Sequence, residues 1–363
     1  MKKFIVGLGL DLPRLPSYLW PYFDAKPARH ICAMKLRSVV TPILFFYLVV
    51  PVPSTAQAAT PSKVVMTTGS LSEREAALYI AQDQGLFRRY GLDVSLVQVR
   101  NGPVGMSALS SGETQFHWGS VSAANLGAIA EGADLVFVAG FINKLTGNFI
   151  ANPKIKSPAE LRGKSLGVNS LSGGGWIFTM LMLDYWGLIP ERDKIQFRSL
   201  GDQSVITQGL LNGTVDGAFV GYTFGKILQS KGFRLLADAE KLPIPYQGSG
   251  IMTRRTLMSS SPVTLENLLR GLLDSVAFIC TPENKFQVVK SLAKGLHLAR
   301  VEDAEEGYQN VLGIYERKIY PSVDGIGNVI RLLGARNEKV RRLRAEDLMD
   351  ESVIKKLEKE GRF

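Results

Sequence analysis

Cysteine and histidine are scarce in this sequence, with two and three residues respectively among 363. Beyond residue 59 only Cys280 remains, so no disulfide can form within that part of the chain. Its place inside the apolar run "LLDSVAFIC" predicts a buried, inert thiol. His117 and His297 have no cysteine or histidine at ligand spacing, which removes the usual zinc patterns. G-x-S-x-G is missing, which argues against the serine-hydrolase elbow. So are Gly-Lys-Ser/Thr after a glycine loop and G-x-G-x-x-G after a strand, which leaves a nucleotide-phosphate site unsupported. No placed pair of acid and base stands out. The apolar run "SVVTPILFFYLVV" is also too short and too proline-broken to span a bilayer comfortably. The composition is that of a core-forming, soluble chain, 45% hydrophobic and 21% charged, long enough for two domains.

The first 59 residues differ from the rest. A basic start, Met34-Lys35-Leu36-Arg37, precedes the apolar "SVVTPILFFYLVV" and the small-residue pattern Ala56-Gln57-Ala58. Residues 34–58 therefore read as a secretory signal peptide cut near Ala58, and residues 1–33 as an over-extended reading frame ahead of Met34. Residues 1–59 carry seven Lys/Arg and two Asp/Glu, and their removal leaves +5 of the chain's +10. Half of the basic surplus thus lies ahead of the expected cleavage site and is no nucleic-acid footprint. The charged C-terminal stretch "RNEKVRRLRAEDLMDESVIKKLEKEGRF" interleaves acids and bases at helical spacing, as a solvated helix face does. No cysteine follows the cleavage site to take a lipid, and the expected location is a periplasm-like space.

From Lys63 onward, short β-branched runs alternate with helical stretches, the signature of an α/β fold with parallel strands. Strands beginning near residues 64, 94, 115, 135 and 148 have counterparts near 165, 195, 216, 234 and 250, an offset of about 101 residues. "ALSSGETQFHWG" and "GLLNGTVDGAFV" align at that offset. Two similar lobes are expected, followed from about Thr264 by helices. Ser70 and Glu73 have the spacing of a capping box, so Glu73 is expected to reach back to its own helix.

In such lobes ligands bind beyond the carboxyl ends of the strands, where loops become helix N-termini. The candidate loops hold Ser70 and Leu71, Asn101 and Gly102, Trp118-Gly119-Ser120, and Thr146 in the first lobe. In the second they hold Ser170-Leu171-Ser172-Gly173-Gly174, Asp202 and Tyr222. "NSLSGGGW" is the most informative of these. Unpaired N–H groups and the macrodipole make a helix start attractive to an anion, and glycines let it come close. Each charge-assisted hydrogen bond contributes roughly 1.5–3 kcal/mol. Three would give about 5–9 kcal/mol gross, against about 8 kcal/mol for micromolar binding. The alternative is a tight turn whose serine only caps the helix. Trp118 and Tyr222 are either ligand walls or core, Lys144 reads as a solvated loop lysine, and Met180, Met182 and Leu183 read as core.

Five segments in order, "AQDQGLFRRYGLDVSLV", "ALSSGETQFHWGS", "IKSPAELRGKSLGV", "LLNGTVDGAFVG" and "KGFRLLAD", make residues 63–300 resemble the ABC-transporter solute-binding proteins of the nitrate/sulfonate/taurine and aminopyrimidine-precursor group. That resemblance implies a two-lobed type II periplasmic-binding fold: lobe 1 over 62–148 and 249–300, lobe 2 over 149–248, and extra C-terminal helices over 301–363. It implies crossings near 147–154 and 246–254, hinge closure on a small solute, and the loops at Ser70, Asn101, Trp118–Ser120, Ser170–Ser172 and Tyr222 facing the cleft. Expected partners are an ABC permease and its ATPase, with no cofactor, no nucleic acid and a monomeric state. The cysteine-rich motif and working histidine of the pyrimidine-synthesising members are missing, so a non-catalytic receptor is expected. An exported enzyme or a ligand sensor on the same fold are the competing readings.

Overall fold

The computed structural model describes residues 60–363 apart from Ser70 and Arg100. The expected signal peptide at 34–58, the extension at 1–33 and the candidate Ser70 lie outside the described residues.

The chain first lays down β1 (Ser62–Thr68), α1 (Ala76–Asp83), α2 (Leu86–Arg89), β2 (Leu92–Gln98) and α3 (Gly102–Ser111). β3 (Phe116–Gly119), α4 (Ala123–Ala130) and β4 (Leu135–Lys144) follow. A second set then repeats the plan with β5 (Asn148–Ala151), β6 (Ser165–Val168), α5 (Gly174–Tyr185), β7 (Gln196–Ser199), α6 (Gln203–Leu211), β8 (Gly217–Val220), α7 (Tyr222–Ser230) and β9 (Arg234–Asp238). β10 (Pro245–Arg254) precedes the helices α8 (Arg255–Ser260), α9 (Pro262–Cys280), α10 (Lys285–Gly295), α11 (Glu305–Ile314), α12 (Val323–Gly334), α13 (Glu338–Arg341) and α14 (Ser352–Lys359).

Two five-stranded sheets result, ordered β2-β1-β3-β10-β4 and β7-β6-β8-β5-β9. β1 pairs in parallel with β2 and β3, and β6 with β7 and β8. β10 and β5 occupy the same place in their sheets, and each runs antiparallel to both neighbours. The all-parallel expectation is corrected at these two strands. Each arrives directly from the other sheet, without the crossover helix that would turn it parallel. The first crossing is residues 145–147, between β4 and β5. Gly147 sits there at φ +133, and a side chain would meet the Val220 carbonyl at 2.6 Å. The second crossing falls at 239–244, ahead of the expected 246–254, which belongs to β10 in the first sheet.

The C-terminal helices are not a separate layer. Tyr308, Val311 and Ile314 of α11 and Ile354 and Leu357 of α14 share the first sheet's core with α1, α9 and α10. Ile326, Val329 and Ile330 of α12 instead pack with Ile177, Phe178 and Leu181 of α5. The apolar spacing at 326, 329 and 330 is the sequence signal for α12. Several cations of the charged tail reach the body of the protein rather than only solvent: Lys339 to Glu131 (2.6 Å), Arg336 to Glu191 (2.5 Å), Lys356 to Glu266 (2.6 Å) and Arg362 to Asp274 (2.6 Å). Leu71 crosses from the first lobe into the second lobe's cluster of Ile150, Ile206 and Phe224. Burying one leucine in this way contributes about 1.5–3 kcal/mol to holding the lobes together.

Candidate functional site

A narrow cavity of about 50 Å³ lies between the lobes, beyond the carboxyl ends of β1, β3 and β6. The second lobe gives it Asn169, Ser170, Gly173, Gly174, Gly175 and Phe178. The first lobe gives it Gly69, Arg74, Glu75, Gly102 and the run His117–Ser120, with Gly248 and Ser249 from β10.

The second-lobe face is a helix start with almost no side chains. Gly173 is the N-cap of α5 and offers no side-chain cap, so the first-turn N–H groups depend on whatever lies beyond the helix. Side chains at 173, 174 and 175 would collide with Ser170 Oγ, Ser120 Oγ and Asn169 Oδ1 respectively, which is why this run is glycine. Ser170 is buried, and its Oγ has no hydrogen-bond partner. On the opposite face Trp118 is fully buried against Phe141, ring centroids 5.2 Å apart, and its Nε1 is likewise unpartnered. Buried polar atoms are ordinarily satisfied, and both of these belong to residues that line the cavity.

The first-lobe face carries ionisable side chains. Arg74 lies 4.5 Å over the Phe178 ring, a contact made across the lobes, and its Nε donates to Ser72 Oγ at 3.2 Å. Glu75 Oε2 accepts from the Ser72 N–H at 3.2 Å and from Ser72 Oγ at 2.7 Å. Burial pushes the Glu75 carboxyl up, opposed chiefly by the neighbouring Arg74 charge. Ser72 and Glu75 thus form the capping box, two positions on from the expected Ser70 and Glu73, because the extended residue before the helical turn is Ser72. Glu73 is released from capping and accepts from the Tyr222 N–H in the second lobe. Burial raises its carboxyl as well, against the N–H groups of its own turn and of Tyr222. His117 shares a 2.9 Å hydrogen bond between Nδ1 and Thr67 Oγ1. Its ring fills the space that side chains at Gly105 and Gly119 would take. Burial lowers it to about 4, so it is neutral near pH 7.

Of the residues singled out from sequence, Gly102, Trp118, Gly119, Ser120, Ser170, Gly173 and Gly174 line this cavity. The other described candidates do not, each for a local reason. Leu71 is in the second lobe's core. Asn101 Oδ1 caps α3 by accepting from the Val104 N–H at 3.2 Å. Thr146 is buried at the first crossing. Ser172 adopts φ +69, and it and Leu171 line a separate surface hollow with Trp176 and Phe197. Asp202 caps its own helix α6. The Tyr222 hydroxyl bonds to Asp238 and Glu240 at 3.1 and 3.0 Å. Lys144 is outside the cavity and partly solvated, and it also pairs with Glu240 at 2.5 Å and donates to the Gly313 carbonyl at 3.0 Å. Cys280 is exposed at the end of α9 rather than buried. Arg74 and Glu75 were missed. Their signal was position alone, in the turn directly after the first strand's glycine loop.

Among the described residues, no helix is long and apolar enough to cross a membrane, and no group of three or more His, Cys, Asp or Glu is placed to hold a metal ion.

The profile of the "NMT1/THI5 like" family matches residues 73–285, more than half of the chain. A protein of Brucella abortus (strain 2308), named only as a binding protein, is 25% identical over 221 residues, which are 59% of this chain and 66% of that relative's length. A solved structure from Bordetella bronchiseptica RB50 superposes with a TM-score of 0.72 at 17% identity, covering 83% of this chain and 99% of the other. The alkanesulfonate-binding protein SsuA from Xanthomonas axonopodis pv. citri, bound to MOPS, gives 0.66 at 18% identity, with 81% and 100% covered. The periplasmic nitrate-binding protein NrtA from Synechocystis PCC 6803 gives 0.65 at 12% identity, with 83% and 89% covered. At these identities the structural matches establish the fold, that of periplasmic binding proteins.

Proposed function

Because this chain belongs to the NMT1/THI5-like family, we propose that it is the solute-binding component of an ABC import system. It is exported, captures a small oxyanion or the sulfonate- or carboxylate-like head of a solute between its lobes, and as a monomer delivers it to a membrane permease driven by an ATPase. The observation that carries this reading is the interlobe cavity. It joins the uncapped start of α5 to two buried polar groups without partners, Ser170 Oγ and Trp118 Nε1.

Size narrows the solute. A cavity of about 150 Å³ admits benzene. The space here, about 50 Å³, suits a group of only a few heavy atoms. Arg74 and Glu75 are adjacent in sequence and both at the cavity, and the Arg74 charge opposes the burial that raises the Glu75 carboxyl. The α5 dipole and neutral donors add to the attraction of Arg74 for a negative oxygen, each worth little in water and more in a dry cleft. Acceptor atoms on the solute would take N–H groups of the second lobe and side-chain donors of the first together. The closed form then gains contacts that the open form lacks, which is what drives hinge closure. His117, the one imidazole at the cavity, is hydrogen-bonded to Thr67 and wedged between glycines, which supports a binding role over acid–base work.

The test is a thermal-shift screen of the mature protein against nitrate, bicarbonate, short sulfonates and carboxylates, followed by calorimetry on the hit and recovery of the solute. A stabilising hit recovered unchanged is expected. Ser170→Ala is expected to weaken its binding about 10- to 100-fold, with little effect on the melting temperature without solute. A hit returned chemically altered, or equal affinity in the serine variant, would overturn the reading.

A further inference from the structure

The geometry points to a latch: we propose that Glu73 clamps the first lobe onto the N-terminus of α7, so that protein atoms alone contribute to holding the lobes together. Glu73 is 1% exposed and belongs to the first lobe, yet its Oε1 accepts from the N–H of Tyr222, the first residue of α7 in the second lobe. A carboxylate in that position also meets the positive end of a nine-residue helix. Gly221, the N-cap of α7, has no side chain, and a Cβ there would come within 2.6 Å of Glu73 Oε2 and 2.9 Å of Oε1. The second lobe is thus shaped to receive this carboxylate. The Gly221 N–H is itself held by Gln203 Oε1 at 2.6 Å, which fixes the approach.

A third element closes over the contact. A Cβ on Gly307 of α11 would lie 2.6 Å from Thr223 Oγ1 and 3.6 Å from Glu73 Cβ. Lys226 of α7 and Glu306 of α11 stand 3.9 Å apart beside it. The flanking residues reach the same way, Leu71 into the second lobe's core and Arg74 over Phe178. One turn of the first lobe therefore engages the second by a charge, an apolar side chain and a cation–ring contact.

The two helix starts of the second lobe have divided tasks: α5 faces the cavity, and α7 holds Glu73. Because Arg74 and Glu75 sit on the latching turn, Glu73 is a positioning residue for the cavity without lining it. The latch acts whichever solute is bound and whatever the transport role.

The test is hydrogen exchange at residues 221–224 together with small-angle scattering, on the mature protein with no solute added. In Glu73→Ala, protection at the Tyr222 and Thr223 amides is expected to fall roughly 10- to 150-fold, the loss of one charge-assisted hydrogen bond, and the radius of gyration to rise. Gly221→Ala, which blocks the seat from the other side, should do the same. Glu73→Gln, which keeps an acceptor, should recover part of the protection. Unchanged exchange and radius in Glu73→Ala would overturn the latch. So would a uniform loss of protection along the whole chain in both alanine variants, which would make the contact general packing.

Discussion

The two faces of the interlobe cavity are built on different principles. The second lobe presents backbone: Gly173, Gly174 and Gly175 at the start of α5, with Asn169 and Ser170 as the polar side chains beside them. The first lobe presents buried side chains: Arg74, Glu75, His117 and Trp118, all under 9% exposed. A backbone face is rigid and indifferent to pH, and its weakness is steric, since any added side chain fills the space. A side-chain face carries charge and titrates, and its weakness is electrostatic. Each face should therefore fail in its own way.

The largest effect is expected on the backbone face. Gly174→Leu places a side chain against Ser120 Oγ, inside a cavity of about 50 Å³. Solute affinity should drop by more than about 100-fold, while overpacking costs about 1–3 kcal/mol of stability. The control is Leu171→Ala, three residues away but 56% exposed and outside the cavity. Calorimetry should show that variant binding as the wild type does. If the two variants behaved alike, the glycine run would not be the binding face.

On the side-chain face the sensitive group is His117. Its folded-state value of about 4 lies below the ordinary histidine value of 6.5, so the unfolded chain takes up a proton that the folded protein refuses. Stability should be complete above about pH 6.5 and decline as the pH falls toward 4, by on the order of 3 kcal/mol in all. Denaturant unfolding at pH 7 and pH 4.5, on wild type and His117→Gln, isolates this part. The wild type should lose on the order of 2–3 kcal/mol more than the variant between the two pH values. Equal losses would mean that the imidazole is not held neutral.

The same division decides what was legible in the sequence. Backbone devices leave composition marks. The alternation of β-branched runs with helices, the repeat of strand starts between the lobes and the three consecutive glycines are all visible without coordinates. The α5 face followed from them directly. The first-lobe face left no such mark. Arg74 and Glu75 look like ordinary first-turn helix residues, and the chain offered two serines, Ser70 and Ser72, from which a capping box could start. Choosing the first assigned Glu73 to its own helix, whereas the actual box at Ser72 and Glu75 frees Glu73 to cross to Tyr222. Pairings across 149 positions have no local signature. Thr146, Leu171, Ser172, Asp202 and Tyr222 were placed by topological analogy, which locates a loop but not the direction its side chains take. The antiparallel β5 and β10 escaped for a similar reason, because strand direction depends on which sheet the chain has just left.

Asp202 gives the smallest effect and the sharpest control on that analogy. It begins α6 at the carboxyl end of β7, the place in the second lobe that Asn101 and α3 hold in the first. Its Oδ1 accepts from the Ser204 and Val205 N–H groups at 2.9 and 3.2 Å, in an exposed setting. A ligand contact and a helix cap at this position make opposite predictions. As a cap, Asp202→Ala should lower stability by about 1 kcal/mol and leave solute affinity unchanged. Asp202→Asn, which keeps the acceptor oxygen, should restore most of the loss. As a contact, both variants would shift affinity at constant stability. Urea midpoints and calorimetry on the same two variants separate these outcomes, and the hydrogen bonds to α6 favour the cap.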